Sequence, residues 1–205
     1  MAAPFPNHPN LVGGFAPIHM ECDYPDLVVA GEVPKELSGA FFRNGPNPQF
    51  APRGDYHWFG GDGMIHGFYI REGKVSYRNR YVRTVKWNKE HEAGRALFGA
   101  FNPMDNDPSV QGIETDGLAN TNVVWHAGKL LALEEAHAPF ELDPHTLESK
   151  GAMNYEGKLK GPMTAHPKID PENGEMLFFG YNADGLISEH MVFHVADKHG
   201  NLIRS

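Results

Sequence analysis

Histidine is the residue type whose abundance suggests chemistry in this chain, with 12 copies in 205 residues. Imidazole is the commonest metal ligand among protein side chains, and its unperturbed pKa lies near neutrality. His190 and His194 have the spacing of a helical metal pair. The residues around them have the pattern of a strand, in which positions four apart lie ~13 Å apart. We therefore expect these two side chains not to share an ion.

Three other features of the sequence could do chemistry, and each has a simpler explanation. Cys22 is the only cysteine, which excludes an intrachain disulfide, a thiolate zinc site and an iron–sulfur cluster. The Gly60–Gly63 turn (Gly-Gly-Asp-Gly) could cradle a phosphate only if a helix followed it, whereas residues 64–70 alternate like a strand. The arginines at 78, 80 and 83 are expected on a solvated face or in salt bridges between blades.

The elements that must position these residues are short strands joined by turns that contain glycine. Four hairpins are predicted, and their strands cover residues 67–70 with 75–77, 122–125 with 130–133, 168–169 with 176–179, and 191–195 with 202–203. The turn glycines are unevenly spaced, as in irregular β-propeller blades, and a sandwich of short strands would look much the same. A short helix is predicted over 87–97, one helical turn over 34–37 and a loop over 102–111.

Composition bounds the function further. The chain carries 18 Lys and Arg against 26 Asp and Glu, a formal net charge of −8, which argues against a nucleic-acid partner. Its longest apolar stretches fall far short of the ~20 residues that cross a bilayer, and no secretory signal is visible. A soluble protein of the cytoplasm is expected, since a single cysteine fits a reducing compartment.

Five motifs occur in an order that resembles one family. They are FFRNGPNP (41–48), HWFGGDGMIHGF (57–68), NTNVVWHAGKLLALEE (120–135), FELDPHTLES (140–149) and TAHPKIDPENGEMLFFGY (164–181). From about Phe15 to its end, the chain is similar to the N-terminal portion of carotenoid cleavage oxygenases, and most similar to the lignostilbene dioxygenases, which cleave stilbenes.

This resemblance implies an all-β fold, namely the N-terminal portion of a seven-bladed β-propeller with few short helices. Residues 1–205 would form a single incomplete domain, with 1–50 as an N-terminal wrapping segment and 51–205 as the first blades. The last predicted hairpin stops two residues after Ile203, which would leave an unpaired edge. We therefore expect a truncated protein.

The resemblance also implies a non-haem Fe(II) dioxygenase that uses O2 to split an alkene into two carbonyl products. Four histidines hold the iron in such enzymes, and His166 stands at the position of the first of them. Glu135 matches a carboxylate that accepts a hydrogen bond from a ligand imidazole, although that imidazole is expected to be missing here. Thr121 matches a residue whose methyl group crowds one coordination site of the iron.

Three further positions match the substrate pocket of the stilbene-cleaving members. Phe59 matches an aromatic residue that lines the pocket. Phe101 and Glu134 stand where those members place a tyrosine and a lysine that bind the substrate phenol. Phenylalanine cannot donate a hydrogen bond and a glutamate would repel a phenolate, so the expected substrate is another phenylpropanoid or an apolar apocarotenoid alkene.

The sequence leaves two alternatives to the dioxygenase function open. One is a truncated, non-catalytic β-protein that binds an apolar ligand or adds a strand from a partner chain to its exposed edge. The other is a chain with no function because it never folds. Even if the family is right, residues 1–205 carry one of four iron ligands, so they are expected to be inactive alone.

Overall fold

The computed structural model describes residues 3–99, 102–185 and 188–205. Within these ranges the chain forms twelve β-strands in three four-stranded antiparallel sheets, with one α-helix and five short 3-10 helices. The sheets follow one another along the chain, as successive blades do. The predicted all-β class with few short helices is confirmed.

The first sheet takes strands from both sides of residue 50. Its strands are β1 (Asp23–Tyr24), β2 (Gly39–Pro46), β3 (Gly63–Arg71) and β4 (Lys74–Tyr81), in the order β1-β4-β3-β2. The predicted β3–β4 hairpin is confirmed and turns at Glu72 and Gly73, both with positive φ, as tight hairpin turns require. Residues 1–50 do more than wrap around the fold, because β1 pairs with β4 and all eight residues of β2 pair with β3.

The second sheet is a simple meander. Its strands are β5 (Asn122–His126), β6 (Lys129–Leu133), β7 (Phe140–Leu142) and β8 (Ser149–Ala152), in that order. The predicted β5–β6 hairpin is confirmed and turns at Ala127 and Gly128, with φ values of 50° and 76°. Strands β7 and β8 were not predicted, since they are only three and four residues long and their pairing is interrupted at Glu141 and Leu142.

The third sheet repeats the meander and contains the two remaining predicted hairpins. Its strands are β9 (Lys168–Ile169), β10 (Met176–Tyr181), β11 (Met191–Ala196) and β12 (Leu202–Arg204), in the order β12-β11-β10-β9. The hairpins β9–β10 and β11–β12 are both confirmed. His194 therefore lies within a strand and His190 lies just before it, so the two do not form a helical metal pair.

The two largest apolar clusters in the described part of the chain flank β6, which contributes to both. Leu130 and Ala132 pack towards the first sheet with Ile65 and Val82. Leu131 and Leu133 pack towards the third sheet, in a cluster that includes Met163, Met176 and Phe178. A strand buried on both faces needs apolar residues at consecutive positions, which accounts for the run Leu130–Leu133.

Strands β2, β5 and β9 each lie at one edge of their sheet, and side-chain amides join these edges. Asn44 Nδ2 of β2 donates hydrogen bonds to Ala119 O at 2.8 Å and Asn122 O at 2.9 Å. Asn122 Nδ2 of β5 donates to Ala165 O at 2.7 Å, just before β9. We call the line of contacts through Asn44, Asn122 and Ala165 the inner edge.

The helix α1 (Val85–Ala93) begins two residues before the predicted start and ends four residues before the predicted end. Thr84 Oγ1 caps it by accepting from Trp87 N at 3.1 Å, and Gly94 ends it with φ 66°, as glycine commonly does. The 3-10 helices cover Pro9–Leu11, Gly13–Phe15, Trp58–Gly60, Pro103–Asp105 and Pro108–Val110. The turn predicted over 34–37 has one hydrogen bond, from Leu37 N to Pro34 O at 3.1 Å, and is not a helix. No helix in the described ranges has the length and apolar character of a membrane span.

Candidate functional site

His166 lies two residues before β9, at the inner edge, and its side chain is 64% exposed. Its Nε2 lies 3.6 Å from Glu135 Oε1. The same carboxylate oxygen accepts a hydrogen bond from Ala165 N at 3.1 Å. Thr164 Oγ1 accepts from His166 N at 3.2 Å. The imidazole is therefore mounted on a short turn that Glu135 holds in place, and it faces away from the core.

Glu135 lies two residues after the end of β6 and brings the second sheet to this turn. Its side chain is 32% exposed, and its nearest imidazole among the described residues is that of His166. A carboxylate beside an imidazole can hold the ring in one orientation. The 3.6 Å separation is too long for a hydrogen bond, so the expectation that the hydrogen-bonding imidazole of Glu135 is missing stays a prediction.

Thr121 lies one residue before β5, next to Asn122. The side-chain amide of Asn122 donates to Ala165 O, the carbonyl of the residue that precedes His166. Its backbone N–H donates to Leu133 O at 2.9 Å, and its Oγ1 donates to Asn120 Oδ1 at 2.9 Å. Asn120 Nδ2 in turn donates to Phe59 O and Gly61 O, both at 2.7 Å. These bonds connect Thr121 to the loop that carries Phe59.

Phe59 and Thr121 line one cavity of about 340 Å³ between the N-terminal segment and the inner edge. Phe59 is 54% exposed, and near it Phe15 and Trp58 make an edge-to-face contact with ring centroids 4.7 Å apart. The aromatic side chains offer apolar surface to a ligand, and Arg43, Asn44 and Asn120 add polar groups to the same wall. Four of the predicted site residues, His166, Glu135, Thr121 and Phe59, thus lie along the inner edge or beside it.

Glu134 lies at a second cavity, of about 460 Å³, which Phe98, Gly99 and Pro103 also line. Its carboxylate pairs with Nδ1 of His137, three residues along the chain. The hydrogen bond that His137 donates to Glu134 is the main cause that raises the pKa of His137, against the opposing effect of burial. No motif in the sequence predicted a role for His137. Phe101 lies outside the described residues.

His66 also lines the 340 Å³ cavity, but it has a structural partner. Its Nδ1 lies 2.6 Å from the Tyr77 hydroxyl on the neighbouring strand. Burial, and then the charge of Arg43, lower its pKa. No three or more His, Cys, Asp or Glu side chains converge as a metal site anywhere in the part of the chain that the structure describes. His166 is therefore a single potential ligand.

The Gly-Asp-Gly turn holds a buried charge cluster and leads into strand β3. Lys86 Nζ lies 2.8 Å from Asp62 Oδ1 and 2.7 Å from Glu90 Oε2. Burial disfavours the charge on Lys86, but the two carboxylates outweigh it and raise the pKa of the ammonium group. Glu90 Oε1 also accepts from the N–H groups of Leu97 and Phe98. The cluster pins helix α1 to the first sheet. The turn leads into strand β3 and not into the helix N-terminus that a phosphate-binding loop requires.

Two arginines of β4 and a third just after the strand bind the N-terminal segment. Arg78 and Arg80 both pair with Asp23 of β1, and Arg83 Nη2 lies 2.5 Å from Glu21 Oε2. The Arg78 guanidinium also donates to the carbonyl of His145, which precedes β8 in the second sheet. The salt bridges lie within the first sheet and its N-terminal segment and not between blades, and the contact of Arg78 with the second sheet is a hydrogen bond.

Comparison with known proteins gives consistent matches. The family model described as retinal pigment epithelial membrane protein matches residues 15–205. An isoeugenol monooxygenase of Pseudomonas nitroreducens is 42% identical over 96% of this chain, and a lignostilbene-α,β-dioxygenase isozyme III of Sphingomonas paucimobilis is 45% identical over 98%. The crystal structure of a lignostilbene dioxygenase of Pseudomonas brassicacearum superposes with a TM-score of 0.93 at 37% identity, covering 99% of this chain.

The matched regions are short relative to those proteins. The chain spans 41% of the length of each of the two curated relatives and 43% of the solved structure.

Proposed function

The chain belongs to the carotenoid oxygenase family, and on that premise we propose that the protein splits an alkene with O2 into two carbonyl products. The observation that carries the proposal is the mounting of His166, an exposed imidazole on a turn that Glu135 braces. It lies at the inner edge, which Asn122 connects to Thr121. Relatives named for stilbene and isoeugenol oxidation support an alkene substrate.

His166 fits one part of an iron site. Imidazole nitrogen suits Fe(II), and this ring is exposed and has a carboxylate beside it. One imidazole cannot hold the ion tightly, so the remaining ligands would come from outside residues 1–205. When bound, Fe(II) would supply the redox chemistry between O2 and the alkene. Glu135 would orient the His166 ring, and the Thr121 methyl group would limit access to the site.

The proposed substrate is a small apolar or phenylpropanoid alkene. The 340 Å³ cavity offers it the aromatic surfaces of Phe15, Trp58 and Phe59, close to Thr121. These side chains would exclude water from the apolar body of the substrate and orient it by shape. We also infer a cytoplasmic location, since the single Cys22 fits a reducing compartment.

A second candidate function is a non-catalytic β-protein that binds an apolar ligand or a partner chain. The exposed apolar side chains on the third sheet favour it: Leu177, Met191 and Phe193 are 46%, 51% and 69% exposed. A surface of this kind marks an interaction site. The two candidates differ in whether the protein takes up iron and consumes O2.

The test is the iron content per protein after anaerobic loading with Fe(II) and desalting. The product of the complete coding sequence is expected to retain stoichiometric iron, and His166→Ala to lose most of it. Glu135→Gln is expected to weaken iron affinity by about 10- to 100-fold. His190→Ala, which changes an exposed histidine paired with Asp184, is the matched control and should retain the metal.

Residues 1–205 alone are expected to hold little iron and to cleave no alkene. Mass spectrometry of the carbonyl products would measure the cleavage. Stoichiometric iron in this chain alone, or unchanged iron in the His166→Ala protein, would contradict the assignment of the ligand. Full iron loading without O2 consumption on any phenylpropanoid or apocarotenoid alkene would favour the non-catalytic candidate.

A further inference from the structure

The residue before His166 is held on both sides by side chains of the second sheet. Glu135 Oε1 accepts from Ala165 N at 3.1 Å, and Asn122 Nδ2 donates to Ala165 O at 2.7 Å. Ala165 itself is fully buried in the apolar cluster that the second and third sheets share. Backbone N–H and C=O groups need partners when they are buried, and strand β9 begins only at Lys168. Two side chains, and not a sheet ladder, therefore set the backbone that carries His166.

The side-chain amide of Asn122 is locked in the orientation that this bond requires. Its Oδ1 accepts from Val123 N at 2.8 Å, which leaves Nδ2 to donate to Ala165 O. A flipped amide would bring oxygen against the Ala165 carbonyl and NH2 against the Val123 N–H, and both bonds would be lost. The Asn122 backbone is fixed as well, because it pairs with Leu133 of β6 and its carbonyl accepts from Asn44 Nδ2 at 2.9 Å.

The same kind of bond joins the first and second sheets, but it has a different residue beside it. Asn44 Nδ2 donates to the carbonyl of Asn122, and the next residue, Val123, continues strand β5. Between the second and third sheets the accepting carbonyl belongs to Ala165, and the next residue is His166, whose side chain is 64% exposed. Both bonds join neighbouring sheets, and only the second one lies directly beneath an exposed imidazole.

We propose that Asn122 is a positioning residue for the His166 imidazole, and that it acts by holding the Ala165 carbonyl. A functional side chain must be held within about 0.5 Å of its productive geometry by the residues around it. The exposed His166 ring has few contacts of its own, so the fixed backbone beneath it supplies this precision. The inference rests on the proposed function for the role of His166 as an iron ligand and adds to it the residue that positions this ligand.

The Fe(II) affinity of the product of the complete coding sequence, measured by competition with a chelator, gives the first test. Asn122→Leu has a similar volume but leaves Ala165 O without its donor, and it should weaken Fe(II) affinity about tenfold. Asn122→Asp keeps the shape but places a carboxylate oxygen against the Ala165 carbonyl, so it should weaken the affinity at least as much. Asn122→Gln, which still donates from a longer side chain, should restore part of the affinity.

Asn79 of β4 offers a matched control, because it too uses its side-chain amide to hold the backbone of another segment. Its Nδ2 donates to Met20 O and its Oδ1 accepts from Cys22 N, both at 2.8 Å, and the residue is buried. Asn79→Leu should lower the midpoint of urea denaturation at least as far as Asn122→Leu does. Its Fe(II) affinity should stay within about twofold of the wild-type value, because Asn79 shares no partner with His166.

Amide hydrogen exchange of the metal-free protein gives a second test that needs neither iron nor turnover. In Asn122→Leu the amide hydrogens of Ala165 and His166 should exchange about tenfold faster than in the wild type, because one of the bonds that close this turn is lost. The amide of Phe178, in the core of the neighbouring strand β10, should change far less. In Asn79→Leu the exchange at His166 should change no more than the exchange at Phe178.

The two measurements separate the inference from the proposed function. Unchanged Fe(II) affinity in Asn122→Leu, or equal acceleration of exchange at His166 and Phe178, would overturn the inference and leave the proposed function standing. A wild-type protein that takes up no iron would reject the proposed function. Faster local exchange at His166 in the Asn122→Leu variant of that protein would still support Asn122 as the residue that positions this imidazole.

Discussion

At the scale of single residues, the buried ammonium group of Lys86 holds two carboxylates together. Lys86→Met would leave Asp62 and Glu90 buried without their cation, which costs roughly 3–5 kcal/mol in the free energy of unfolding. Urea denaturation of the wild type and of Lys86→Met measures this loss. Lys89→Met, at an exposed position on the same helix, should change stability by less than about 0.5 kcal/mol. A similar loss in both variants would contradict the prediction.

His66 allows a pH prediction at the same scale. Burial lowers its pKa in the folded state, so the unfolded chain takes up a proton first as the pH falls below the ordinary value near 6.5. Its contribution to stability is therefore fully present above that value and is lost as the pH falls through the lowered folded-state pKa. The free energy of unfolding should drop more steeply between pH 7.5 and 5.5 in the wild type than in His66→Asn. His145→Asn, at an exposed histidine, should follow the wild-type slope; an equal slope in all three proteins would show that His66 does not contribute.

At the scale of elements, the sequence predicted the hairpins, because glycine turns and apolar runs determine a hairpin locally. All four hairpins were found, because each couples a turn containing glycine to an apolar strand. Strand β1 was missed because its two residues are held by a distant partner, β4, and by the arginine pairs with Asp23. The predicted end of the helix was four residues too late, because Gly94 ends the helix with a positive φ. Local patterns carry no information about such long-range partners.

The turn that carries His166 depends on strand β10, which lies directly behind it. Thr164 N donates to Phe179 O at 2.7 Å, and a Cβ at Gly180 would lie 2.1 Å from Pro162 O. Gly180→Ala must therefore displace the segment before His166, with a loss of about 1–3 kcal/mol in the free energy of unfolding and a shift of the His166 amide resonance. Gly14→Ala, where a Cβ meets nothing within 4 Å, should leave stability within about 0.5 kcal/mol. An unshifted His166 resonance in Gly180→Ala would contradict the placement.

At the scale of the whole molecule, the inner edge joins parts of the site that are far apart in sequence. Phe59, Thr121, Glu135 and His166 were identified only because their motifs resembled those of a family. Residue type and spacing alone gave no reason to bring them together. The pairing of His137 with Glu134 was not predicted although three residues separate them, because the cavity wall that holds both is formed by several distant segments. Both the inner edge and the surroundings of His137 depend on the pairing of segments that are distant in sequence. Such pairing is a property of the folded chain.

The outward face of the third sheet leads to a prediction about the molecule as a whole. Leu177 and Phe179 of β10 pair with Val195 and Phe193 of β11, which places all four side chains on one face, and Phe193 is 69% exposed. Burying such a surface between two copies removes apolar area from water at about 25 cal/mol per Å². Residues 1–205 should therefore self-associate with increasing concentration in sedimentation velocity experiments.

The double variant Leu177→Ser, Phe193→Ser should sediment as a monomer with little change in the free energy of unfolding, because neither side chain is buried in the core. Leu202→Ser, by contrast, alters a buried residue of the neighbouring strand β12 and should lower the free energy of unfolding. A wild-type chain that remains monomeric at high concentration, or a double variant that associates as strongly as the wild type, would show that this face does not drive association.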